Sequence, residues 1–260
     1  MRYRRVGLLT TCVLCAWAVV VCGGTRTSDK EMEERWDALS PQVKSVLKNV
    51  EEVGEGLTTV ECEVRYTRSI PLLEEEEECE GELVFEKPDR LVLRLGEPRN
   101  EDAYTDGSKW WIVSHNDRQV EVYRMVENPR QTREAAFLKF GYGRSARELL
   151  DQYKISLAEK RSVPADGDES EEVTEYILRF TPREQEAPSR YSWIEVAVRE
   201  GTWLPARLRL AENEGRIMHI YRLKDRQLNV DLKDGVFTYS PPEGYTILQP
   251  AAGSRQGSGR

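Results

Sequence analysis

The chain has 260 residues, carries a net charge of −8, and is 39% hydrophobic and 32% charged, the composition of a water-soluble globular protein of one domain with an appendage. An acidic surface repels phosphate before contact, which excludes nucleic acid as a nonspecific partner and disfavours anionic lipid headgroups.

The first 24 residues hold three Arg (Arg2, Arg4, Arg5), no acidic residue and three of the five cysteines. A basic start followed by the apolar run 6–21 is the layout of a secretory signal, so the folded part is expected outside the cytoplasm. An uncleaved anchor helix is the competing reading, but it needs about 20 apolar residues and this run is shorter. Cys22, followed by Gly23 and Gly24, also has the look of a bacterial lipoprotein acylation site, although Val21 fits that pattern poorly; the alternatives are ordinary cleavage and a lipid-anchored mature protein.

The region 25–56 reads as helical. Ser40 followed by Pro41 marks a helix start, and Val43, Val46, Leu47, Val50 and Val53 repeat at helical spacing. From Leu57 the period becomes two: Val60, Cys62, Val64 and Tyr66 alternate with Glu61, Glu63 and Arg65. Strands at 58–66 and 79–85 form a hairpin if the turn lies near 69–73. Cys62 and Cys79 then fall on one apolar face, where an oxidising compartment permits a cross-strand disulfide; two buried free thiols are the alternative. At the hairpin tip, Ile70, Leu72 and Leu73 are expected to be exposed or to fold back on the sheet, and Glu74 to Glu78 to form a solvated loop.

Further strands follow at Leu91, Leu93 and Leu95, at 109–113 (KWWIV) and at 118–124, bounded by turn signals. The segment 128–152 is helical in character, broken at Gly141 and Gly143, with Ser145 and Glu148 as a capping box. The stretch 160–172 reads as a charged loop. Alternation resumes at 173–181, 191–199, 203–211 and 215–224, and 251–260 is expected to be disordered. Eight or nine strands with helices at the start and middle describe an α+β fold, one antiparallel sheet curled around helices.

No catalytic constellation is legible. His115 and His219 build no common metal site or triad, and neither GxSxG, HExxH nor a P-loop occurs. Gly141 to Ala146 superficially matches a dinucleotide fingerprint but follows helical sequence and lacks a βαβ setting. The acidic run lacks the spaced ligands and rigid turn of a calcium loop. No cofactor, metal or enzymatic activity is expected.

Three stretches in order, ELVFEKPDRLVLR (82–94), YTDGSKWWIVSHNDRQVEVY (104–123) and VFTYSPPEGYTI (236–247), resemble the LolA/LolB-like periplasmic lipoprotein carriers. The similarity runs from about Ser40 to Leu248. It implies an incomplete antiparallel β-barrel, a strongly curved sheet over residues 57–250 whose concave face is covered by helices, with a lid at about 129–152. It also implies a cavity for acyl chains of lipids or lipoproteins, carried across the periplasm towards the outer membrane. Inner- and outer-membrane lipoprotein-sorting proteins would be the partners. The lining would be Val64, Leu83, Phe85, Leu93, Trp111, Ile194, Val196, Leu208 and Leu210 from strands, with Phe137, Phe140 and Leu149 from the lid; for each, an ordinary packed core position is the alternative. In these carriers a basic residue before the turn proline latches the lid, and Lys87 stands at that position, where the family commonly has Arg. The alternative function is an envelope-localised binding or sensory module of the same fold with a filled cavity, lipid-anchored if Cys22 is acylated.

Overall fold

The computed structural model describes residues 28–124, 137, 140–142, 145–165, 168–183, 190–233 and 235–249. The expected signal segment 1–24, Cys22 and the tail 251–260 lie outside the described residues, as does much of the expected lid.

Two capped helices begin the described chain. In α1 (Asp29–Asp37) the Ser28 side chain accepts from the Glu31 N–H, and in α2 (Pro41–Glu55) Ser40 accepts from the Val43 N–H, with proline in the first turn. Val43, Val46, Leu47 and Val50 form the buried stripe of α2. A third helix, α3 (Ala146–Gln152), starts at Ser145, whose side chain accepts from the Arg147 N–H.

Twelve strands form a single sheet. They are β1 (Thr59–Ile70), β2 (Glu75–Glu86), β3 (Arg90–Leu95), β4 (Glu101–Asp106), β5 (Lys109–Ser114) and β6 (Gln119–Arg124), then β7 (Tyr153–Ala165), β8 (Asp168–Pro182), β9 (Tyr191–Arg199), β10 (Pro205–Glu212), β11 (Ile217–Leu228) and β12 (Thr246–Leu248). The order is β12-β6-β5-β4-β3-β2-β1-β11-β10-β9-β8-β7. Every neighbour pair is antiparallel except β12 with β6.

Tyr123 on β6 and Tyr191 on β9 line one cavity. Strands that far apart in the order would be about 38 Å apart in a flat sheet at 4.8 Å per strand, so the sheet curls strongly. Its edges, β12 and β7, do not pair with each other, which leaves the barrel incomplete. The α+β half-barrel expected from the sequence is therefore the observed architecture.

Alternation assigns the two faces. Val60, Cys62, Val64, Tyr66, Leu83, Phe85, Leu91, Leu93, Ile194, Val196, Leu208 and Leu210 join the helices' apolar stripes in the main core on the concave side. A second cluster lies on the outer face of β2 to β6, where Val84, Val92, Tyr104, Val113 and Val120 pack against Phe237 of the C-terminal segment. Tyr239 stacks on Tyr104 at 4.8 Å, and the Tyr245 hydroxyl lies 2.9 Å from His115 Nδ1. The chain's last described stretch is thus strapped across half of the outer face.

Several expectations are corrected. Residues 160–165 and 168–172 belong to the paired strands β7 and β8 rather than to a loop: Arg161 lies opposite Glu175 and Lys160 sits over the Tyr176 ring, so cross-strand pairing holds charges that read as solvated. Glu75 to Glu78 belong to β2, with Glu78 3.3 Å from Arg65. The turn centre consequently lies further along than the sequence indicates, and the cysteines are out of register: Cys62 faces Leu83 and Cys79 faces Tyr66. Four residues of offset is about 13 Å along a strand, beyond the reach of a disulfide. Both cysteines are free and buried. Leu72 and Leu73 are exposed at the tip, at 85% and 58%.

Candidate functional site

The concave face is divided into a filled half and a hollow half. In the filled half, the apolar stripe of α2 joins the main core, and the helix contacts β7 and α3. Phe137 and Phe140 meet Phe180 at 5.2 and 5.4 Å, Phe137 meets Tyr153 at 4.9 Å, and Tyr142 stacks on Phe85 at 5.6 Å. Gly141 lets this turn approach the sheet, since a Cβ there would stand 2.9 Å from Pro205 Cδ and φ is +82°. Helix α3 is tied to its neighbours by the Ala146 N–H donating to Glu51 at 2.6 Å and by Arg35 of α1 donating to the Asp151 carboxylate at 3.2 Å.

Beyond these aromatics lies a cavity of about 440 Å³. Its apolar surface comes from Leu93, Leu95, Trp110, Ile112, Phe137, Leu208 and Leu210, on strands from both arms of the sheet. Charged residues also line it: Arg99 pairs with Glu101 at 2.8 Å, and Asp117 accepts from the Ser114 hydroxyl at 2.8 Å. A buried chain of hydrogen bonds forms one wall. The Tyr66 hydroxyl is 2.8 Å from His219 Nδ1, His219 Nε2 is 2.9 Å from Glu212, and Glu212 is 3.1 Å from Arg190.

Electrostatics fix the protons in that chain. Burial pushes Tyr66 up to about 12 and lowers His219, despite the help its cation would receive from Glu212. Hydrogen bonding from His219, then from Arg190, holds Glu212 down at about 2. The imidazole is therefore neutral: Nε2–H donates to Glu212 and Nδ1 accepts from the Tyr66 hydroxyl. Each of Tyr66, His219 and Glu212 thus has a hydrogen-bond partner in this polar wall.

Of the expected lining, Leu93, Phe137, Leu208 and Leu210 border this cavity. Val64, Leu83, Phe85, Ile194, Val196, Phe140 and Leu149 lie in the adjoining packed core. Trp111 is on the opposite face, packed against the outer cluster, and its neighbours Trp110 and Ile112 point inward instead. A KWWIV strand offers a tryptophan to each face, and only the strand register decides which enters the core. Trp110, Tyr66 and His219 escape sequence reasoning for that reason or because they carry polar atoms.

Lys87 sits at the end of β2 and donates to the carbonyls of Gly54 at 2.6 Å and Glu55 at 3.0 Å. These carbonyls lie at the C-terminal end of α2, where a cation meets the negative end of the helix dipole. Lys87, expected to latch the segment 129–152, thus binds the end of α2, and most of that segment lies outside the described residues. Among the described residues, no group of three or more His, Cys, Asp or Glu is arranged to hold a metal ion.

Over 177 residues the chain is 25% identical to an outer-membrane lipoprotein carrier protein of Alkalilimnicola ehrlichii, covering 68% of this chain and 71% of that one. The chain is similar to this lipoprotein carrier. No family model matches it. Two solved structures resemble the chain. An uncharacterized conserved protein from Thermus thermophilus is 9% identical over 80% of this chain and 99% of the other, with a TM-score of 0.49. A LolA superfamily protein from Nitrosomonas europaea is 14% identical over 78% and 99%, with a TM-score of 0.38.

Proposed function

We propose that this protein binds an acyl chain of a lipid or lipoprotein in its concave cavity and carries it through the periplasm towards the outer membrane, without catalysing a reaction. The observation that carries this reading is the 440 Å³ hollow, which has a polar wall and an apolar one formed by Leu93, Leu95, Trp110, Ile112, Leu208 and Leu210, beside a helical cover clamped by Lys87. If a methylene takes about the 30 Å³ of a liquid water molecule, the space suits on the order of 15 methylenes, one chain rather than several. At about 0.8 kcal/mol per methylene that is roughly 12 kcal/mol against water, and a bilayer offers about the same. Exchange between cavity and membrane is then near balance, so loading and release need shape and apolarity rather than nucleotide hydrolysis.

The relative in Alkalilimnicola, a lipoprotein carrier by name, supports this reading, and the basic-then-apolar segment 1–24 supports a periplasmic location. Membrane proteins of lipoprotein sorting would be the donors and acceptors. The second reading, a binding or sensory module of the envelope, is favoured by the aromatic plug of Phe137, Phe140 and Phe180, which fills half of the concave face. Mass spectrometry of organic extracts from the protein purified from the periplasm separates the two: co-purifying lipid is expected for a carrier, and a lipid-free extract would favour the filled module.

A further inference from the structure

The outer face is unequal in its two halves. The half over β2 to β6 is covered by the C-terminal segment, whereas β7 to β11 carry a group of arginines. Here two buried glutamates serve more cations than they can neutralise. Glu195 takes Arg179 at 2.6 Å and Arg209 at 2.9 Å, and these two guanidiniums lie over Trp193 at 4.7 and 5.5 Å. Glu175 takes Arg161 at 2.5 Å, and Arg199 and Arg207 each lie 3.7 Å from it.

The register makes the excess sharper. Arg207 on β10 is directly opposite Arg222 on β11, and Arg222 is directly opposite Arg65 on β1. Like charges in directly opposed positions destabilise a sheet. Arg65 is neutralised by Glu80 at 2.8 Å. Among the described residues Arg222 has only the Thr67 hydroxyl, at 3.1 Å, and the Arg207 Nε is buried without a hydrogen-bond partner. Burial, with Arg161, Arg209 and Arg222 nearby, lowers the pKa of Arg207 below the usual arginine value. A sequence that is acidic overall has placed, among the described residues, more arginines than carboxylates in one patch, at a local electrostatic cost.

We propose that this arginine row is a docking site for an acidic helix of a partner protein, lying across the strands with its carboxylates over Arg207 and Arg222. The spacing selects the helix. Carboxylates at i and i+4 on a helix are about 5–6 Å apart, and residues on neighbouring strands are about 4.8 Å apart. Side chains splay outward on a convex face, which widens the guanidinium spacing towards the helical value. An extended peptide, with side chains on one face about 6.6 Å apart, would drift out of step. A flat anionic membrane fits poorly, since the face curves away from it. Bidentate guanidinium–carboxylate pairing supplies the recognition, and the row's length supplies the orientation.

The test uses the full-length protein and a labelled alanine-based helical peptide with Glu at every fourth position. A peptide of the same composition with Glu dispersed around the helix, and vesicles of phosphatidylglycerol, are the comparisons. The single-face peptide should bind, more weakly as salt rises, and at least tenfold more tightly than the dispersed one. Arg207→Ser with Arg222→Ser should weaken binding at least tenfold while leaving the melting temperature unchanged or raised, because the opposed charges are gone. Arg222→Ser alone serves if the double variant folds poorly. Equal binding of the two peptides, unchanged binding by the variants, stronger binding to vesicles than to peptide, or a melting temperature lowered without loss of peptide binding would each overturn the proposal.

Discussion

The Lys87 ammonium donates to the Gly54 carbonyl across 2.6 Å, joining the end of β2 to the last turn of α2. It connects the wall of the half-barrel to α2, and under the proposed carrier function it sets how readily that helix lifts. A half-buried charged hydrogen bond of this kind is worth about 1 to 2 kcal/mol, enough to change an open–closed balance about tenfold. Lys87→Met should lower the urea midpoint modestly and speed uptake of a fluorescent fatty acid in stopped flow. Lys87→Arg should restore the slower uptake, because guanidinium can serve the same carbonyls.

Cys62 and Cys79 should both be found as free thiols in protein taken from an oxidising compartment. Burial pushes the Cys62 thiol up to about 12 and raises Cys79 as well, so neither presents a thiolate at neutral pH. Alkylation followed by peptide mapping should label both after denaturation and Cys62 hardly at all before it. A peptide pair joined by a Cys62–Cys79 bridge would contradict the register of the β1–β2 hairpin.

Stability should fall on acidification through the wall of the cavity. His219 has a folded pKa below its unfolded value of about 6.5, so the unfolded chain takes up a proton that the folded chain refuses. Its contribution is complete above pH 6.5 and is lost as the pH falls below it. Glu212 adds a second loss only below its unfolded value, as the pH falls towards about 2. Urea titrations at pH 7.5, 6.5 and 5.5 should show His219→Gln less stable at pH 7.5 but with a shallower decline, by up to about 1.4 kcal/mol per pH unit. Parallel declines for the two proteins would remove His219 from this role.

Much of this architecture is legible in the periodicity. The α2 stripe is read from Val43, Val46, Leu47 and Val50, and the inward sets of β1, β3, β9 and β10 from their alternation. What alternation cannot supply is register. It leaves the β1–β2 turn free to slide, which misplaces Cys79 against Cys62, and it leaves Trp110 and Trp111 interchangeable. The β7–β8 hairpin is hidden because its cross-strand partners, such as Arg161 and Glu175, look like solvated charges until they are paired. The cavity is less legible still. Leu93 and Leu210 border open space while Leu83 and Ile194 are packed, a distinction set by where Phe137 and α2 come to rest.

Binding of a fluorescent long-chain fatty acid tests the central claim most directly, measured for the parent protein and for Ala103→Trp, which places an indole in the cavity between Leu93 and Ile112. The parent should bind one probe per chain and release it to unlabelled lipid. The variant, with an unchanged circular dichroism spectrum, should bind at least tenfold more weakly. A parent protein that binds no probe, or a variant that binds it as tightly as the parent, would contradict an acyl-chain site in the concave cavity.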